Sequence, residues 1–135
     1  MKSVFFSVFA LILFIPSCQK DKKDKIYVLT EKEKLLTSHG WHISSIKINN
    51  VEIPLTPWTV DDCWVFREDG TTTYHYGTLI SNSHETDWTG TWEFSDDEKT
   101  LIYASTSPGI DITSSEMVLT DIYNGDTRVY TYTGC

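Results

Sequence analysis

The stretch DWTGTWEFS, Asp87 to Ser95, sets its large apolar side chains at alternate positions. Trp88, Gly90, Trp92 and Phe94 fall on one face, and Thr89, Thr91 and Glu93 on the other. Side chains of a strand alternate between two faces, so this reads as a half-buried β-strand.

Working outward, the same grammar recurs. SDDEK is a turn, TLIYAS a strand and Pro108-Gly109 a break; IDITSSEMVLT and TRVYTYT then read as two strands joined by NGD. Upstream, CWVFREDGTTTYHYG gives two strands around Glu68-Asp69-Gly70, with Trp64 and Phe66 on one face. WHISSIKI runs into Asn49-Asn50 and then VEI, a tight hairpin. Its alternation slips between Ile43 and Ile46, and a bulge near Ser44-Ser45 reconciles the two halves. The segment from Pro54 to Pro57 reads as a loop. One helix is signalled, in LTEKEKLLTSHG: Thr30 and Glu33 have capping-box spacing, Leu35 and Leu36 give an apolar face, and Gly40 suits the stop. Seven or eight short strands joined by hairpin-like turns predict an all-β fold. It is an antiparallel up-and-down meander closing into a barrel of about eight strands, with one short N-terminal helix.

A chain of 135 residues fits one such domain. A net charge of −8 argues against a nucleic-acid partner, because phosphate neutralisation needs a basic surface. Four lysines lie between Gln19 and Lys25, leaving residues 26–135 with six basic and seventeen acidic side chains. That acidic body favours solubility over contact with anionic lipid heads.

The N-terminus carries an address. Lys2 precedes VFFSVFALILFI, Val4 to Ile15, an apolar run too short to span a bilayer but suited to a secretory signal. IPSC, ending at Cys18, resembles the bacterial lipobox, with an apolar residue three before the cysteine and small Ser17 directly before it. That resemblance implies diacylglyceration of Cys18, cleavage before it and acylation of the new N-terminus. Pro16 departs mildly from the usual pattern, and an ordinary secretory signal is the alternative. Two or three acyl chains would hold the protein on the membrane. The expected organisation is a signal peptide at 1–17, lipidated cysteine and charged tether at 18–28, and a barrel domain at 29–135. QKDKKDK, Gln19 to Lys25, is a polar tether reaching roughly 25 Å when extended. It resembles the export signal of Bacteroidota surface lipoproteins at Gln19, Lys20 and Asp21, although Lys22 and Lys23 replace the acidic run. The expectation is an outer-membrane lipoprotein, with surface exposure favoured over a periplasm-facing anchor.

WHISSIKINNVEI, DDCWVFREDGTTTY, GTWEFSDDEKTL and MVLTDIYNGDTRVYTYT occur in that order. Together they resemble the lipocalin-like domain of small Bacteroidota lipoproteins over Trp41 to the C-terminus. The resemblance implies a calycin-like eight-stranded barrel open at one end. Asn50 stands where that pattern usually has glycine, and Gly40-Trp41 lacks the spacing residue of the lipocalin Gly-x-Trp. The family has no established common ligand, so a shape is implied and an activity is not.

The remaining chemistry is sparse. Cys63 and Cys135 are an even pair outside the reducing cytoplasm, which suggests a disulfide, with two free thiols as the alternative. His39, His42, His75 and His84 lack metal-ligand spacing, and Asp61-Asp62 and Asp96 to Glu98 read as solvated turns. No nucleophile elbow, phosphate loop or His-Glu-x-x-His motif is present. The expectation is a non-enzymatic protein without metal or cofactor. Trp64, Phe66, Trp88, Trp92, Phe94 and Tyr103 would face inward, either filling the barrel or lining an apolar cavity; Trp58 would stand on a rim loop. Partners follow from this: the membrane through the lipid, and a small apolar ligand in the barrel. The alternative is an inhibitor or accessory subunit with a packed interior that contacts a partner protein through its rim loops.

Overall fold

The computed structural model describes residues 27–79 and 86–135. The signal segment, Cys18, the charged tether and His84 lie outside the described residues.

Helix α1, Glu31–Thr37, begins as its sequence dictates. The Glu33 N–H donates to Thr30 Oγ1 at 3.2 Å, and the Glu33 carboxylate accepts the Thr30 N–H at 2.7 Å. This reciprocal pairing satisfies two donors that a helix start leaves open. Seven residues do not hold a helix alone. Leu36 is therefore fully buried, and the Trp41 indole N–H donates to the Leu36 carbonyl at 2.9 Å. The helix ends at Ser38, not at Gly40.

Nine antiparallel strands follow: β1 Trp41–Ile48, β2 Val51–Ile53, β3 Cys63–Phe66, β4 Thr71–His75, β5 Trp88–Phe94, β6 Leu101–Tyr103, β7 Gly109–Ile112, β8 Glu116–Tyr123 and β9 Asp126–Gly134. Eight form the wall, in the order β6-β5-β4-β3-β1-β9-β8-β7, while β2 pairs with the second half of β1. The ring nearly closes between β6 and β7 through a bridge from Thr100 to Gly109. Leu101 N–H donates to Pro108 O at 3.0 Å beside it. The expected barrel is therefore present.

Local chemistry sets the register. Ile43 faces Tyr132 while Ser45 faces Thr131, so Ser44 is the extra residue of a bulge. Asn49 and Asn50 both take positive φ, 50° and 66°, as a tight hairpin turn requires. Asn49 fixes that turn to the next one, donating to Asp126 Oδ1 at 2.7 Å and accepting the Thr127 N–H at 2.9 Å.

Three expectations change. Pro54 to Pro57 leads into a second helix, α2 (Pro57–Val60), with proline at its first turn, where no N–H is required. IDITSSEMVLT is two strands, because Thr113 turns the chain: its N–H donates to Glu116 O at 2.8 Å. The Asp61-Asp62 pair is a clamp and not a solvated turn. Asp61 accepts the Leu79 N–H at 2.8 Å, and Asp62 accepts the Gly77 N–H at 2.9 Å and the Tyr74 hydroxyl at 2.6 Å.

Inside, one end of the barrel is filled. Leu36, Trp41, Phe66, Trp92, Leu101, Ile110, Met117, Leu119 and Tyr132 form a buried cluster, with α1 packed against β3 and β7. Each large apolar side chain buried this way contributes about 1.5–3 kcal/mol. A Cys63–Cys135 disulfide ties β3 to the end of β9 across the start of β1. The opposite end carries the β1–β2 turn, the end of β4 and start of β5, the β6–β7 loop and the β8–β9 turn.

Candidate ligand-binding mouth

The inward face of β8 changes character along its length. Met117 and Leu119 are buried, and Asp121, two positions further on, is the next side chain on that face. Antiparallel pairing sets Met117 against Tyr132, Leu119 against Tyr130 and Asp121 against Arg128. Above the filled end, the barrel wall is thus phenolic and ends on charge.

A cavity of 190 Å³ lies at this level, bounded by Trp64, Tyr103, Leu119, Asp121, Tyr130 and Tyr132. Thr106 and Pro108 of the β6–β7 loop complete it. Beyond Trp64 and Tyr132 sits a smaller void of 50 Å³, which Thr59 of α2, Asp62 and Tyr74 border. Trp64 meets Tyr103 edge-on at 5.0 Å and 86°, the favoured arrangement of two ring quadrupoles.

Burial governs the electrostatics of this chamber. It pushes the Tyr103 phenol up to about 12 and holds the Tyr132 phenol well above its usual range, so both stay neutral. Asp121 Oδ1 is buried without a hydrogen-bond partner. Arg128, its cross-strand neighbour, makes no ion pair with it within 4 Å; the guanidinium lies over the Tyr123 ring instead, 4.2 Å from its centroid. The chamber therefore offers aromatic faces, phenolic hydroxyls and one unengaged carboxylate oxygen.

Residues 38–134 match the family model of the lipocalin-like domain. The chain belongs to this family. No curated protein and no solved structure matches it.

This lipocalin-like domain distributes the aromatics singled out in its sequence among three settings. Trp64 and Tyr103 border the mouth cavity. Trp88, 40% exposed at the rim, packs edge-on against Trp64 at 5.8 Å. Its ring also lies over Gly90, where a Cβ would stand 2.3 Å away, which explains the glycine inside that strand. Phe66 and Trp92 are buried in the filled end with Phe94 packed against them, and the Trp92 indole N–H is satisfied by Arg67 O at 2.9 Å. None of these three borders the mouth cavity. Trp58 stands on α2, 46% exposed. Asp121, Tyr130 and Tyr132 were not among the residues singled out. Their signal was available in the alternation Met117-Leu119-Asp121 and Arg128-Tyr130-Tyr132.

Two larger hollows of 390 Å³ each border β5. One sits where β5 outruns β6, and the other beside Tyr27 and the turn Glu68 to Gly70. One of them shares Tyr103 with the mouth, but neither reaches Tyr130, Tyr132 or the buried Asp121 oxygen, so the mouth is the candidate site.

Among the described residues, no group of three or more His, Cys, Asp or Glu side chains is arranged to hold a metal ion. His75 Nδ1 pairs with Asp87 at 2.6 Å, His42 Nε2 lies 3.1 Å from Thr133 Oγ1, and His39 Nδ1 lies 2.7 Å from Ser38 Oγ. The Ser38–His39 contact has no acid on the other ring nitrogen, which is buried and unpartnered. It is not a catalytic triad.

Proposed function

We propose that the protein is a lipid-anchored, non-enzymatic lipoprotein of the outer membrane that holds a small ligand in the mouth of its barrel. The observation carrying this reading is the 190 Å³ cavity placed on the inward face directly above a filled core. The Asp121 oxygen that borders this cavity is buried without a partner, which costs free energy unless something engages it.

Anchoring fits the same picture. The described chain begins at Tyr27, whose hydroxyl donates to the Glu33 carboxylate on α1. Tyr27 thus lies at the filled end of the barrel. A lipid on Cys18 would leave the mouth pointing away from the membrane, open to whatever diffuses past.

The test is native mass spectrometry of the protein purified from its own host, compared with a Leu119→Phe variant whose larger side chain fills the cavity. The expected result is a non-covalent mass on the wild type that is lost on denaturation and absent from the variant. A bare wild-type mass contradicts the reading.

A second reading has a specific observation behind it. Val51, Trp58, Leu79, Ile122 and Tyr123 are exposed apolar side chains on the elements at the mouth end. Apolar rims of this kind suit a protein partner, so a rim-docking inhibitor or accessory subunit is the alternative function. It predicts that Trp58→Ala and Ile122→Ser weaken partner capture while Leu119→Phe does not.

A further inference from the structure

We infer that the ligand of the mouth is a small organic cation, a substituted ammonium head group held by aromatic faces and the Asp121 carboxylate. This rests on the proposed binding function and names the chemical class it serves.

Three observations converge on that class. First, four aromatic rings surround the cavity, from Trp64 on β3, Tyr103 on β6, and Tyr130 and Tyr132 on β9. Ring faces carry the negative end of the aromatic quadrupole, and several faces around one space attract a cation more than a neutral apolar group. Second, Asp121 is the one charged residue bordering the cavity, and its Oδ1 is buried and unpartnered. A buried acceptor left without a donor is costly, and an ammonium group would supply the missing partner. Arg128, the cross-strand neighbour of Asp121, makes no ion pair with it: the guanidinium lies over the Tyr123 ring, with its own Nε buried and unpartnered. An anionic ligand would meet Asp121 with like charge, while a purely apolar ligand would leave Oδ1 still unpaired.

Third, size limits the guest. A volume of 190 Å³ is the space of about six waters in the liquid, so the enclosed part of the ligand has roughly six to ten heavy atoms. That suits a trimethylammonium or primary ammonium head and excludes a buried fatty acyl chain or tetrapyrrole. The excess of acidic side chains in residues 26–135, seventeen against six basic, also draws cations toward the domain.

The test is titration calorimetry on the full mature protein in a maltoside detergent, which has no cationic head group. The probes are choline and its neutral carbon isostere, 3,3-dimethylbutan-1-ol. The inference predicts that choline binds about tenfold or more tightly than the isostere. It also predicts that Asp121→Asn, which keeps the side-chain shape, removes most of that preference without moving the thermal midpoint. Trp64→Leu should weaken choline more than the isostere. Equal binding of the two probes, or an Asp121→Asn variant that keeps its preference for choline, overturns the cationic assignment and leaves the binding function standing. Binding of neither probe also overturns the cationic assignment. The native mass then decides whether the binding function falls as well: a bare wild-type protein removes both, and a bound neutral or anionic mass removes only the cation.

Discussion

The sulfur of Cys63 stands 2.5 Å from the point where a Cβ on Gly40 would lie, and Cys135 Sγ stands 3.3 Å from that point. The disulfide crosses the start of β1 directly over a residue with no side chain. Gly40 thus leaves the space for a clasp between β3 and β9, and its backbone carbonyl accepts the Cys135 N–H at 2.9 Å.

Gly40→Ala should therefore destabilise the oxidised protein by about 1–3 kcal/mol, the usual cost of overpacking. In a Cys63→Ala/Cys135→Ala background the same substitution should cost much less. Denaturant midpoints of the four proteins give the coupling directly. The double cysteine variant should itself lose up to about 4 kcal/mol, because the bridge closes a span of 72 residues.

At high pH the mouth phenols set the limit. Tyr103 is raised from 10.0 to about 12 by burial, and Tyr132 is raised in the same direction for the same reason. An unfolded phenol ionises near 10, so their contribution is intact below that value and is lost as pH rises toward the folded values. Ultraviolet titration should show two tyrosines ionising later than the exposed ones, or together with unfolding. Tyr103→Phe should remove one of them from that late phase.

In acid the sign reverses. Asp69, Asp87 and Asp97 are held below the usual 3.8 by hydrogen bonds, chiefly from Thr71, His75 and Ser95 respectively. Their contribution is present above the unfolded value and is lost as pH falls through the lowered folded values. Urea midpoints should decline below about pH 4, and Asp87→Asn should make that decline shallower.

The proposed anchor rests on one atom, the sulfur of Cys18. Cys18→Ala should move the protein from the membrane fraction to the soluble fraction, with no change in the circular dichroism of the barrel. A variant that stays with the membrane would remove the lipoprotein assignment.

Much of the wall could be read before any coordinates, because period-two alternation and turn chemistry are local. Trp88 to Phe94, the Asn49-Asn50 turn and the Ser44 bulge all follow from neighbouring residues. The turn at Thr113 escaped because Thr-Ser-Ser lacks glycine, proline or asparagine; its geometry comes from the Thr113 backbone and hydroxyl bonding to Glu116. Helix α2 escaped because a single turn shows no periodicity and its proline looks like a breaker. The site was half legible. Trp64 and Tyr103 stood out as inward aromatics, but which inward residues sit above the filled end depends on the pairing of β1 with β9. That is a long-range pairing, starting at Trp41 and Gly134, and with the β1–β3 and β8–β9 pairings it brings Asp121, Tyr130 and Tyr132 over the same space as Trp64.

The most direct measurement is a crystal structure of the protein purified from its own host without added ligand. The account predicts unassigned density of small-molecule size between Trp64, Tyr103, Tyr132 and Asp121, with Oδ1 of Asp121 within hydrogen-bond distance of it. A mouth in which these side chains have closed on one another, with Oδ1 paired to Arg128 and no space between the rings, would contradict it.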